Sequence, residues 1–289
     1  MWQALQKLFW VSRPISWPNT AYPFGAAYLV TGGSLDALFW VGVVFFLFPY
    51  NLLMYGVNDV FDYESDIKNP RKGGIEGMKE QRAFHPVILR ASVMVSVPFV
   101  LWLLWQGNPL SNIVFTALLF FVVAYSAPYL RFKERPVLDS ITSSLHFVGP
   151  MIYALSLTHY SATAWWYVAA FFLWGMASHA FGAVQDIVPD RAGNIASIAT
   201  VFGARRTVRF AMVLYTAAAL MVSVQGLPAF VVGLAGLLYV WNIAAYHGVT
   251  DARSAQTNQA WRRFIWLNLG TGFVTTMVLI YLHLQASMT

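Results

Sequence analysis

Apolar runs of membrane-crossing length recur along the whole chain, and no other feature limits its fold so tightly. Crossing a hydrocarbon core of about 30 Å takes about 20 helical residues. Runs of that order lie at roughly 16–33, 36–55, 87–106, 111–130, 138–158, 163–185, 207–224, 228–248 and 264–284. Backbone amides inside a bilayer must bond within their own segment, so each run is predicted to be an α-helix. The expected fold is all-α, a multi-pass membrane bundle of about nine transmembrane helices. No Ser/Gly/Pro linker or low-complexity tract separates the runs, so residues 1–289 are read as a single intramembrane domain. Only 10% of residues are charged, against about 25% in soluble domains. Pro23 interrupts the first run and no cleavage site follows, which favours a retained helix over a signal peptide. The absence of Cys excludes disulfides, thiolate-held metals and thiol catalysis.

The connections between runs alternate in character. Those near 34–35, 107–110, 159–162 and 225–227 are short and lack Lys and Arg, whereas those at 56–86, 131–137, 186–206 and 249–263 are charged. Counted with the N-terminal segment, all 18 basic residues fall on one side. The positive-inside rule makes that side cytoplasmic and puts the N-terminus there, in a multi-pass protein of the cell membrane. The net charge of +6 is thereby assigned to topology, with the lipid bilayer as partner and no nucleic acid. Eleven of the twelve acidic residues, all but Asp36, share the same side. The positive-inside rule does not ask for this, so the acids carry the functional information.

Residues 58–66 concentrate them. If the helix continues out of the preceding run, Asp59, Asp62 and Asp66 stand at i, i+3 and i+7, with Asn58 beside them. Such a face repels itself unless a cation sits on it, and oxygen donors suit a divalent ion. Lys68, Arg71, Lys72 and a Gly pair follow at once, a composition suited to the phosphate oxygens a metal leaves over. A second acidic face, Asp186 and Asp190 at i, i+4, ends the sixth run on the same side, where Pro189 is expected to bend or end the helix. Two such faces, each followed by cations, point to Mg²⁺ and a diphosphate. One face alone would be read as a helix cap or a proton relay. Asn51 and Tyr55 continue the face of Asn58 and Asp62 into the membrane, and His179 stands seven residues before Asp186 on its face. All three are candidates to line a pocket, with bonding to a neighbouring helix as the alternative. Within the first cluster, Asn58, Asp62 and Asp66 are the better aligned inward positions. Asp59, also a metal candidate, and Glu64 are less well aligned.

With those motifs quoted, the chain resembles the UbiA superfamily of intramembrane prenyltransferases over essentially its full length. Asn58-Asp59-x-x-Asp62-x-x-x-Asp66 is similar to the first Asp-rich motif of that family and Asp186-x-x-x-Asp190 to the second, with Arg13-Pro14 and Tyr125-Ser126-x-Pro128 as weaker signals. Gln185 and Ala183 stand where many members carry further acidic or polar groups, which leaves the number of metal ions open. Stretches 62–74 and 186–191 look most like the lycopene elongase branch, whose members add dimethylallyl units to lycopene and often hydrate the product.

The resemblance implies a membrane prenyltransferase with Mg²⁺ as cofactor. Asn58, Asp62, Asp66, Asp186 and Asp190 are the catalytic and metal-holding residues it implies. Arg13, Lys68, Arg71, Lys72 and Arg135 would meet the diphosphate, while Tyr55 and Tyr125 would face the allyl cation. Dimethylallyl diphosphate and lycopene are the implied donor and acceptor, and a partner subunit or homo-oligomer stays open. Arg90 and Arg209 stand at the charged-side ends of their runs and no Lys or Arg lies deeper in the spans to bind an acidic acceptor, which favours an apolar one. The alternatives are a quinone or other aromatic, a chlorophyll-type or a lipid acceptor, and, more remotely, a metal or phosphate transporter.

Overall fold

The computed structural model describes residues 2–67, 73, 78–159 and 161–288, and all regular structure among them is helical. Each of the nine predicted runs overlaps at least one α-helix. Six segments are both long and apolar enough to cross a membrane by length and composition: Ala37–Phe61, Arg82–Gln106, Pro109–Ser126, Ala162–Val184, Leu227–Ala244 and Asp251–Gln285. The chain sorts into two compact units, one of Met1–Phe132 and Leu145–Tyr160, the other of Lys133–Ser144 and Ser161–Thr289.

The first unit contains α1 (Trp2–Val11), α2 (Pro18–Val30), α3 (Ala37–Leu47), α4 (Pro49–Phe61), the single turn α5 (Tyr63–Asp66), α6 (His85–Gln106), α7 (Pro109–Ser126) and the later part of α8 (Leu138–Leu157). Pro49 has no N–H to continue α3, so a new helix starts there and leaves carbonyls at the junction without their intrahelical donors. Asn51 Nδ2 donates to the carbonyls of Phe46 and Leu47 at 2.8 and 3.0 Å and to Thr20 Oγ1 at 2.7 Å. Asn51 is therefore committed to this junction and to α2, fully buried, which matches the neighbouring-helix alternative for this residue rather than the pocket lining. Aromatic side chains fill the interior: Phe115 stacks on Tyr153 with centroids 4.7 Å apart, and Phe24 meets Phe46 at 5.1 Å. Gly42 admits Phe24, whose ring would lie 2.2 Å from any Cβ there.

The second unit holds the start of α8 and then α9 (Ala162–Val184), α10 (Ile187–Ala192), α11 (Ile198–Phe202), α12 (Ala204–Ser223), α13 (Leu227–Ala244) and α14 (Asn258–Met288). Its core gathers Phe181, Val184, Ile187, Tyr215, Tyr239 and Phe264. Trp174 stacks on Phe264 at 5.7 Å, and Tyr215 on Tyr239 at 5.3 Å. At Gly175, α9 runs close to Ser144, leaving no room for a side chain.

Candidate active site

In the first unit, α4 delivers the acidic motif. The expected unbroken helix instead pauses at Asp62, whose φ of −99° and ψ of −1° close α4 before α5 adds one turn. The register survives, because Asp62 N–H donates to the Asn58 carbonyl and Asp66 N–H to that of Asp62, both at 2.9 Å. Asn58, Asp62 and Asp66 thus stand one turn apart, and the two carboxylates are only 5% and 7% exposed. Asn58 donates its amide N–H to Ser126 Oγ at 2.9 Å, and its Oδ1 is an acceptor atom. Arg131 Nη2 lies 4.0 Å from Asp62 Oδ1. The sequence reading missed this arginine, although the Tyr125-Ser126-x-Pro128 motif leads directly to it.

Asp59 does not join that set. Its Oδ1 accepts from Arg13 Nη2 at 2.5 Å and its Oδ2 from the Met78 N–H at 3.3 Å. The Arg13 guanidinium also covers the Tyr55 ring, 4.1 Å from its centroid. Three predicted residues, Arg13, Tyr55 and Asp59, therefore form a cluster that ties the segment after α1 to α4. Glu64 pairs with Arg82 at the surface, and Tyr125 meets His146 in a T-shaped contact, centroids 5.0 Å apart. Lys68, Arg71 and Lys72 lie outside the described residues.

In the second unit, α9 stops at Val184 and α10 begins at Ile187. The Pro189 ring would clash with the carbonyl four residues back, that of Gln185, so the break precedes the proline and Pro189 sits in the first turn of α10. Asp190 N–H donates to the Asp186 carbonyl at 2.8 Å, fixing these acids one turn apart as predicted. Gln185 Oε1 accepts from Asn258 Nδ2 at 2.6 Å and its Nε2 donates to the Gly182 carbonyl at 2.9 Å, a tie to α14. Arg191 donates to Asp251 at 2.7 Å and to the Thr200 carbonyl at 2.6 Å. Asp251 in turn accepts from the Ala204 N–H at 2.7 Å, so this ion pair holds α10 to the start of α12. Arg135 is exposed at the surface.

His179 has a distinct environment. Its Nδ1 lies 3.1 Å from Ser140 Oγ. Asp139, fully buried, accepts from the Ser140 N–H at 2.7 Å, the Ser140 O–H at 3.3 Å and the Ile198 N–H at 2.7 Å. Sequence reading offered no signal for Asp139, a lone acid at the start of an apolar run.

Among the described residues, no group of three or more His, Asp or Glu side chains is gathered as for a protein-only metal cage. Aspartates paired at one-turn spacing, with an amide oxygen in the first unit, suit Mg²⁺ instead. That ion characteristically takes one or two carboxylates and completes its octahedron with water and substrate phosphate.

Helices carrying two one-turn aspartate pairs define a class before any particular protein. The chain belongs to the UbiA prenyltransferase family, whose model matches residues 20–268. It is a prenyltransferase and a membrane protein. Among its relatives, a lycopene elongase/hydratase of Corynebacterium glutamicum is 49% identical over 98% of this chain and 99% of its own length. A lycopene elongase/hydratase of Haloarcula japonica is 30% identical over 95% of this chain and 91% of its own length. In fold, the chain is similar to a UbiA homolog from Archaeoglobus fulgidus solved with DMAPP and Mg²⁺. That likeness has a TM-score of 0.66 at 17% identity and covers 92% of this chain and 98% of the other.

Proposed function

We propose that the enzyme transfers a dimethylallyl group from its diphosphate to the ends of lycopene and that water quenches the resulting cation. The 49% identity to a lycopene elongase/hydratase over nearly the full length of both chains carries this reading. Asn58, Asp62 and Asp66, together with Asp186 and Asp190, serve the diphosphate of the donor. They would hold Mg²⁺, which when bound neutralises the diphosphate so that the allylic C–O bond can ionise. Burial of Asp62 and Asp66 strengthens their hold on a cation, since the effective dielectric is lower there. Arg131, beside Asp62, and the basic residues Lys68, Arg71 and Lys72 meet phosphate oxygens. Asp59 is excluded from this set by its pairing with Arg13. Tyr125 offers an aromatic face to the cation, and a terminal alkene of the acceptor attacks it, so no base is needed to activate the nucleophile. The gathering of all 18 basic residues on one side of the proposed topology supports a cell-membrane enzyme with its acidic motifs facing the cytoplasm.

The acceptor is tested by expressing the chain in cells that accumulate lycopene and extracting pigments. Carotenoids longer than lycopene are expected. Unchanged lycopene, together with a prenylated quinone or lipid, would refute the assignment.

A further inference from the structure

We infer that His179 is the proton acceptor for the water that quenches the final carbocation, with Ser140 and Asp139 as its positioning residues. The inference rests on the carotenoid reading above and assigns the end of that reaction to one side chain.

Three observations meet at this residue. The first is orientation. Ser140 O–H donates to Asp139 Oδ1 and lies beside His179 Nδ1 at 3.1 Å, so a proton on Nδ1 completes a chain running from His179 through Ser140 to a carboxylate. That tautomer puts the ring's lone pair on Nε2, the arrangement by which an oriented imidazole acts as a base. Asp139 is itself immobilised by the Ile198 N–H, which fixes the far end.

The second observation is access. Within residues 175–181 of α9, His179 is the one residue that is half-buried rather than buried. The third is depth. Seven residues separate His179 from Asp186, about 10 Å along a helix at 1.5 Å per residue. The ring thus stands along α9 from the diphosphate-handling pair, where the prenyl and acceptor carbons, rather than phosphate, need a partner. A polar network serving only to pin α8 to α11 would be complete with Asp139, Ser140 and Ile198. The histidine adds nothing to that pin.

A water oxygen forms a bond to the tertiary cationic carbon left by prenyl transfer and one of its O–H bonds breaks. The bonding pair stays on oxygen, and the proton passes to His179 Nε2. The product is a tertiary alcohol and an imidazolium stabilised through Ser140 by Asp139. Without the base, the same cation loses a neighbouring C–H proton to water, the C–H pair becoming the new double bond, and gives an alkene.

The test is the product ratio, not the rate. The full-length enzyme and its His179→Gln, Ser140→Ala and Asp139→Asn variants are supplied with lycopene, dimethylallyl diphosphate and Mg²⁺, and the alcohol and alkene forms of the elongated carotenoid are quantified. His179→Gln is expected to lower the alcohol-to-alkene ratio at least tenfold, and Ser140→Ala and Asp139→Asn to lower it less. A purely structural role would reduce total product and leave the ratio unmoved. An unmoved ratio in His179→Gln, or in both positioning variants should His179→Gln fail to accumulate, overturns the inference. So does an unaltered enzyme that makes elongated alkene alone. Absence of any elongated product from the unaltered enzyme contradicts the acceptor assigned above and this role with it.

Discussion

Arg13 and Asp59, 46 positions apart in sequence, form an ion pair at 2.5 Å with side chains only 14% and 3% exposed. Arg13 adopts a left-handed backbone with φ of 50° to reach it, a conformation that costs a non-glycine residue energy. Asp59 belongs to the acidic motif by position, yet its charge is already matched by protein.

Removing either partner leaves a buried charge uncompensated, so Arg13→Ala or Asp59→Ala is expected to cost about 3–5 kcal/mol. Replacing both at once with apolar residues of similar size should recover much of that loss. A thermal-unfolding double-mutant cycle in detergent measures it. The Mg²⁺ concentration giving half-maximal activity should stay unchanged in Asp59→Asn, and a large increase would return Asp59 to the metal site.

Helix α9 tests close packing in the second unit. A Cβ at Gly175 would stand 2.3 Å from Ser144 Oγ and 3.2 Å from its Cα, so Gly175→Ala must push backbone apart, at about 1–3 kcal/mol. Gly270 in α14 meets nothing within 4 Å. Gly270→Ala should therefore stabilise the helix by up to about 1 kcal/mol. Opposite shifts in Tm are expected from these two substitutions, and equal shifts would count against the α8–α9 approach.

Asp36 caps α3 by accepting the Phe39 N–H at 2.9 Å. Partial burial alone would raise its pKa, but that bond and those from Ser34 and Tyr28 outweigh burial and hold the carboxyl below its ordinary value. A depressed folded-state pKa contributes stability above the unfolded value of about 3.9, which is lost as pH falls through the lower folded value. Asp36→Ala should cost about 1 kcal/mol at neutral pH, with the difference in Tm from the unaltered chain shrinking below about pH 4.

Periodicity and charge placement made much of this molecule readable from sequence. The one-turn spacing of Asp62 with Asp66, and of Asp186 with Asp190, follows from helical repeat alone and survives the breaks at Asp62 and Gln185. What stayed hidden depends on contacts across long sequence separations. Asn51 shares a helical face with Asn58, but the break imposed by Pro49 captures its amide for stranded carbonyls. Arg13 looked like a phosphate ligand because nothing in the sequence pairs it with Asp59. Arg131 follows the Tyr125-Ser126-x-Pro128 motif without being part of it, and Asp139 carries no local motif. Only tertiary structure puts one beside Asp62 and the other behind Ser140 and His179.

The central claim is that both aspartate pairs are needed for Mg²⁺-dependent prenyl transfer. Its most direct test is diphosphate release and elongated carotenoid formation by purified protein in lipid nanodiscs, given dimethylallyl diphosphate, lycopene and Mg²⁺. Asp62→Ala and Asp186→Ala should each lower both products by about 10³-fold or more, an effect of about 4 kcal/mol on the barrier, while the protein remains membrane-inserted. Chelation of Mg²⁺ should do the same to the unaltered enzyme. Full activity in either variant, or activity undiminished by chelation, would contradict it.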